Sequence, residues 1–281
     1  MARKKSFSFS RAMLWLGFFF LYAPMLVLIG YSFNGNKRVN VWSEFSTKWY
    51  GELLNNDAMM SALWMSVKVA LASASVAVVF GTLAALVLTR VRAFRGRTLF
   101  GGMVTAPLVM PEVITGLSLL LLFVALANAI GWPAERGFVT IWIAHVTFCM
   151  AYVTVVVSSR LREMDASLEE AAMDLGANRL KTFFVITLPI ISPSLVSGWL
   201  LAFTLSLDDL VIASFVAGPN STTLPMIVFS SVRLGLSPEI NALATLMIVT
   251  VSLAAFAGFW VMQRAEKKRI RDMQAAAALT E

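Results

Sequence analysis

Residues 159–189 read SRLREMDASLEEAAMDLGANRLKTFFVITLP and lie between two long apolar runs. Within them, Ser167-Leu168-Glu169-Glu170 places Glu three residues after Ser, the pattern of a capping box at a helix start. Glu169 to Leu175 then reads as a short helix rich in Ala and Glu. Gly176 is placed to stop it, because glycine takes the left-handed conformation that ends many helices. A second short amphipathic helix is expected next, with Leu180, Phe183, Phe184 and Ile186 apolar and Leu188-Pro189 closing it. The stretch thus predicts a compact knob of two short helices around a glycine, held outside a membrane between two crossings.

The surroundings of this stretch call for a membrane. The chain has 281 residues, of which 58% are hydrophobic and 14% charged, where a soluble domain carries about 25% charged residues. Its mean hydropathy is +0.77, which excludes most soluble enzymes and any disordered chain. Six apolar stretches are long enough to cross a bilayer, at 12–33, 62–89, 99–127, 137–158, 190–217 and 240–262, each near or above the ~20 residues a helix needs. The alternating pattern of an outer-membrane barrel is missing, so helices must satisfy the backbone in lipid. The expectation is an all-α membrane protein, one transmembrane domain over 1–281, with an uncleaved first helix. Arg3, Lys4 and Lys5 precede that helix, but no small-residue cleavage site follows it.

Charge placement orients the helices. Arg3, Lys4, Lys5 and Arg11 lie before the first span, and Arg90, Arg92, Arg95 and Arg97 in the second loop. Arg160, Arg162, Arg179 and Lys181 lie in the fourth loop, and Arg264, Lys267, Lys268, Arg269 and Arg271 after the last span. The opposite side holds only Lys37, Arg38, Lys48, Arg136 and Arg233. By the positive-inside rule both termini and the 159–189 loop are cytoplasmic. The outer loop 34–61 carries Trp42, Phe45, Trp49 and Tyr50, which suit either an interfacial aromatic belt or a contact with substrate or partner. The last outer loop has an apolar middle, Leu224 to Val232, too short to span and suited to the interface or to re-entry.

Few residues offer covalent chemistry. Cys149 is the sole cysteine and His145 the sole histidine; four residues apart on one helix, they make no metal site without further ligands. No nucleophile–base constellation stands out, and no Walker A pattern is found. The ionisable residues inside the spans carry more meaning, since each is costly in hydrocarbon and marks a functional position by default. Glu112 follows Pro107 and Pro111, which break the third span and leave Glu112 to begin a half-helix whose dipole favours a carboxylate. Asp208 and Asp209 sit in the outer half of the fifth span, where adjacent residues point about 100° apart. One can face a pathway while the other meets a neighbouring helix or half-helix end. A structural pair satisfied by Ser206, Thr204 or backbone amides is the alternative. Lys68 is expected to snorkel to the outer interface. Three acids on a pathway favour a cation over an anion or a neutral sugar.

The motifs resemble a known family. Glu170-Ala171-Ala172, then Gly176 after three residues, then Ile186-x-Leu188-Pro189 after nine, matches the EAA loop of binding-protein-dependent ABC importers at every signature position. That resemblance implies the MetI-like fold of type I importer permeases, with six transmembrane helices and cytoplasmic coupling helices. It further implies that Glu170, Ala171, Ala172, Gly176, Ile186, Leu188 and Pro189 dock a separate cytoplasmic ATPase. Over the whole chain, Thr47-Lys48-Trp49-Tyr50, Met110-Pro111-Glu112-Val113-Ile114-Thr115-Gly116, His145-Val146-Thr147-Phe148-Cys149, Ser206-Leu207-Asp208-Asp209-Leu210-Val211-Ile212 and Pro238-Glu239-Ile240-Asn241-Ala242-Leu243-Ala244 resemble permeases of bacterial polyamine importers, the putrescine permeases above all. The resemblance implies a substrate pathway through Trp49, Glu112, Asp208 and Asp209. The family usually has Asp where this chain has Glu112, whose carboxylate reaches one methylene further.

The implied partners are a second, similar permease, two ATPase subunits, a periplasmic polyamine-binding protein and the bilayer of a bacterial inner membrane, without nucleic acid. ATP and Mg²⁺ belong to the ATPase, and this chain is expected to bind no cofactor or metal and to catalyse no covalent step. Another small cationic substrate is the alternative within this class. An ion-coupled carrier would suit the intramembrane acids equally well, but it has no use for an ATPase dock.

Overall fold

The computed structural model describes residues 9–38, 41–91, 94–234, 237–253, 256, 260 and 263–264. Arg3, Lys4, Lys5, Arg92, Lys267, Lys268, Arg269, Arg271 and much of the expected 254–262 helix end lie outside the described residues. The chain divides into two compact units, one built from residues up to 57 and from 231 onward, the other from residues 58–230.

The terminal unit contains α1 (Phe9–Ser32) and α2 (Lys48–Leu54), together with a further apolar helix, Pro238–Leu253. The central unit contains α3 (Asp57–Arg90), α4 (Arg97–Thr105), α5 (Glu112–Ile130), α6 (Phe138–Glu163), α7 (Ser167–Asp174), α8 (Arg179–Thr182), α9 (Leu188–Asp208), α10 (Val211–Val216) and α11 (Leu224–Leu234). Among the described residues, five helices are long and apolar enough to cross a membrane: Phe9–Ser32, Asp57–Arg90, Glu112–Ile130, Phe138–Glu163 and Arg179–Asp208. The described residues contain no strand beyond a single bridge between Asn34 and Phe45.

Two of the expected spans have different boundaries. The stretch 99–127 is not one helix. After α4 the chain makes a 3₁₀ turn at Ala106–Leu108 and becomes extended at Pro111 before α5 starts. Pro107 and Pro111 lack the N–H that a continuing helix needs, so the break that they predict is present and the spanning helix is α5 alone. The stretch expected at 190–217 begins earlier and ends sooner. Helix α8 continues through a π turn, Phe183–Thr187, into α9, giving one helix over Arg179–Asp208. Leu188-Pro189 therefore does not close a helix, because the wider π turn carries the chain past the proline. Pro193 also lies inside α9, and the Ser192 hydroxyl donates to the Pro189 carbonyl (2.9 Å) that Pro193 cannot reach. At the far end, Asp209 is extended and α10 starts afresh.

Small residues let the central helices approach. A Cβ on Gly81 of α3 would stand 2.7 Å from Val153 Cγ1 of α6, and one on Gly116 of α5 would stand 2.7 Å from Phe215 Cδ2 and 3.3 Å from Ile212 Cα of α10. Close packing of this kind replaces the hydrophobic effect between helices surrounded by lipid. Ala74, Ala77, Ala144, Val153, Val157, Ile191, Ala202 and Ile212 form the buried core.

Candidate functional site

The knob expected from the 159–189 stretch is built from α7, a glycine stop and α8. Ser167 is not the capping residue. It is the first residue of α7, and its N–H donates to Asp165 Oδ1 at 2.9 Å. The aspartate two positions earlier takes the first free amide, as Asp readily does in this local geometry. Ser167 thereby holds the Asp165 carboxyl below the usual carboxylate range through its backbone and side-chain hydrogen bonds. Gly176 ends the helix as expected. Its φ is +87°, its N–H donates to Met173 O, and Ala177 N–H reaches back to Ala172 O at 3.0 Å, which is the paired closure of a Schellman motif. Asn178 then caps α8, its side chain accepting from Lys181 N–H at 2.8 Å.

On this knob Glu170, Ala171, Gly176 and Pro189 are exposed, Ala172, Ile186 and Leu188 partly buried. Leu175 (90%), Leu180 (72%) and Phe184 (61%) are exposed beside them, an apolar set that water does not stabilise. Glu169, which the motif leaves unassigned, ties the knob to the helices. Arg90 Nε at the end of α3 lies 2.9 Å from Glu169 Oε2, and Thr187 Oγ1 in the π turn donates to Glu169 Oε1 at 2.7 Å.

The intramembrane acids fall into different settings. Glu112 opens α5 and is exposed. Asp208 is the last residue of α9, exposed, and bonded to no other side chain among the described residues. Asp209 is buried. Its carboxylate accepts Ile212 N–H at 3.3 Å and Ala213 N–H at 2.7 Å, satisfying amides that the first turn of α10 leaves unpaired. Its Oδ2 also lies 3.1 Å from His145 Nε2, and His145 Nδ1 lies 2.7 Å from Ser206 Oγ. Where the carboxylate is ionised it only accepts, so Nε2 then carries the hydrogen and, in a neutral ring, Nδ1 accepts the Ser206 hydroxyl. Sequence reasoning set His145 aside. Its only signal was a lone imidazole in an apolar run, with its partner 64 residues away. No hydrogen bond or ion pair joins Glu112 to either aspartate among the described residues.

Trp49 belongs to the terminal unit, the acids to the central one. Its indole is 2% exposed, donates to Asn34 O at 2.6 Å, and has Lys48 Nζ 4.5 Å from its ring centre. Around it, Phe33 stacks on Phe45, and Tyr50 Oη lies 2.7 Å from Ser32 Oγ. Trp49 therefore ties α2 to the segment after α1 through a buried hydrogen bond. Lys68 is exposed, with its Nζ 5.8 Å from the Trp64 ring centre.

Residues 77–271 match the family model described as "Binding-protein-dependent transport system inner membrane component". The chain is 68% identical over 261 residues to the putrescine transport system permease protein PotI of Escherichia coli K12, covering 93% of each. It is 42% identical to the spermidine/putrescine transport system permease protein PotC of Haemophilus influenzae, over 88% of this chain and 93% of that one. Among solved structures it resembles a bacterial ABC transporter involved in the import of the acidic polysaccharide alginate, with a TM-score of 0.66 and 16% identity over 91% of this chain and 94% of that one. The MetNI methionine ABC transporter also shares the fold, with a TM-score of 0.56 and 19% identity over 73% of this chain and 97% of that one. The chain belongs to the family of inner-membrane components of binding-protein-dependent ABC importers. It is a transport subunit and not an enzyme.

Proposed function

We propose that this chain is the permease subunit that carries putrescine, or a related polyamine, from periplasm to cytoplasm. The observation that carries the substrate assignment is the 68% identity to a putrescine permease over 93% of both chains, joined to exposed Glu112 and Asp208 at the starts and ends of broken helices. A diamine presents two ammonium groups on a flexible apolar chain, and carboxylates can pair with each through charge-assisted hydrogen bonds. Trp49, buried with Lys48 over its ring, would act on the pathway through the loop it anchors rather than by holding the cation itself.

In this reading the chain is one permease domain of six transmembrane helices, with Pro238–Leu253 forming part of the sixth and both termini cytoplasmic. It works beside a second, similar permease, two ATPase subunits and a periplasmic polyamine-binding protein. ATP and Mg²⁺ are handled by the ATPase. Glu170, Ala171, Ala172 and Gly176 meet the ATPase, Ile186, Leu188 and Pro189 join that dock to α9, and Leu175, Leu180 and Phe184 are covered by it. Transport is alternating access: ATP binding favours the outward-open state, the binding protein delivers substrate, and hydrolysis resets the cycle. Three features support the dock: the complete EAA spacing, the exposed apolar set, and the Glu169 contacts that link the knob to α3 and to the start of α9.

Uptake of labelled putrescine in the native host, with the gene deleted and then restored on a plasmid, tests the proposal. Loss and rescue are expected. Unchanged uptake in a strain without a second polyamine importer would remove the substrate assignment.

A further inference from the structure

His145 is 1% exposed and bridges two elements that meet at the α9–α10 break. Its Nδ1 lies 2.7 Å from Ser206 Oγ of α9 and its Nε2 3.1 Å from Asp209 Oδ2. Asp209 in turn accepts two α10 amides. At the other end of α10, Thr140 Oγ1 of α6 donates to Val216 O at 2.7 Å. Helix α10 is therefore pinned to α6 at both ends. The carboxylate of Asp209 already receives three buried donors, which leaves little of its acceptor capacity for an ammonium group. Its neighbour Asp208 is exposed, with no donor from another residue among those described.

We propose that His145 is a positioning residue that commits Asp209 to holding the α9–α10 break and so reserves Asp208 as the carboxylate that meets the cationic substrate. This rests on the polyamine reading above and divides between two adjacent residues a role that the motif alone assigns to both. The imidazole can supply a donor to Asp209 and an acceptor to Ser206 at once, and Gln carries both functions on a longer side chain than Asn.

The test uses the full transporter in cells, with variants compared at equal membrane levels. Asp208→Asn is expected to raise the putrescine KM roughly 10- to 100-fold, the loss of one charge-assisted contact. His145→Leu is expected to lower the maximal rate about tenfold while changing KM less than Asp208→Asn does. His145→Gln should recover about half or more of the wild-type rate, because it restores both hydrogen bonds. Combining His145→Leu with Asp209→Asn should cost no more than the worse single change, as expected of residues that act as one unit.

A second measurement needs no substrate. Asp208→Cys should react with a water-borne, charged thiol reagent about tenfold or more faster than Asp209→Cys, since reactivity follows exposure; native Cys149 is buried. Equal labelling of the two positions would overturn the inference, as would an Asp209→Asn variant whose KM rises as far as that of Asp208→Asn. Equal uptake by the Leu and Gln variants would do so too. If His145→Leu does not reach the membrane, the Gln variant and the labelling still decide. Wild-type cells that take up no putrescine would refute the polyamine reading, while the labelling ratio would continue to report on the division of the two aspartates.

Discussion

The helix that runs from Arg179 to Asp208 is held near each end by a carboxylate, and the two ends use it in opposite ways. Near the α7–α8 knob, Glu169 faces a full guanidinium. Arg90 and Glu169 keep 25% and 17% of their side-chain surface, so water shares in stabilising both charges. At the membrane break, Asp209 and His145 keep 3% and 1%, and the acid is met by amide N–H groups and an imidazole. The contrast follows from the cost of desolvation. A charged pair near water is cheap to form and weak, whereas a carboxylate withdrawn from water persists only where donors fill its lone pairs. The first joint suits a part that must respond to a moving partner, the second a part that must keep its shape.

The largest effect should come from Asp209→Ala, which strands the Ile212 and Ala213 amides and His145 without water. A loss of about 3–5 kcal/mol is expected, read as a fall in the unfolding midpoint of the purified complex in detergent. A loss smaller than that from the knob variants would break the contrast. Gly116→Ala comes next, at about 1–3 kcal/mol, because its Cβ would meet Phe215 Cδ2 at 2.7 Å and the α10 backbone at 3.3 Å. The same melting assay checks it. Arg90→Gln is expected to cost about 1 kcal/mol or less, and this difference should vanish in molar salt. The Asp209 effect should survive the same salt, which sharpens the comparison most directly.

The smallest effect is at Asp165. Asp165→Ala should speed hydrogen exchange at the Ser167 amide, with little else changed. The carboxyl is held below its usual range by Ser167, so its contribution is complete above the ordinary carboxylate range. It fades as pH falls through the lowered value. Exchange at Ser167 that is unaffected by acidification would remove Asp165 from the cap.

Much of this architecture was legible in the sequence where the signal is local. Pro107 and Pro111 announced the break before Glu112, since a missing N–H acts wherever the proline stands. Gly176 announced the end of α7 for an equally local reason. The helix starts two residues before the expected Glu169, because Asp165 accepts the amide of Ser167 and so sets Ser167 inside the first turn. Pro189 was read as a stop, but a proline preceded by a π turn is no obstacle. The break at Asp209-Leu210 has neither glycine nor proline, and the apolar run hides it. At the break the Asp209 carboxylate turns onto the Ile212 and Ala213 amides and meets His145, and pairing across 64 residues leaves no periodic trace. Trp49 stood out as an aromatic of the outer loop, while the Asn34 carbonyl that receives its N–H could be found only in three dimensions.

The π turn at Phe183–Thr187 has a consequence for phase. It fits one residue more into its turn than an α-helix does, so every side chain after it is rotated by about 100° from where an unbroken α-helix would set it. Ser206 meets His145, and Trp199 Nε1 meets Ser75 Oγ at 3.2 Å, only in that rotated setting. Deleting a single residue within 183–187 would turn both away together and draw them back by about 1.5 Å along the axis. One surplus residue beside the α7–α8 knob thus indexes the whole length of α9, and with it the angle at which Asp208 is presented some twenty residues away.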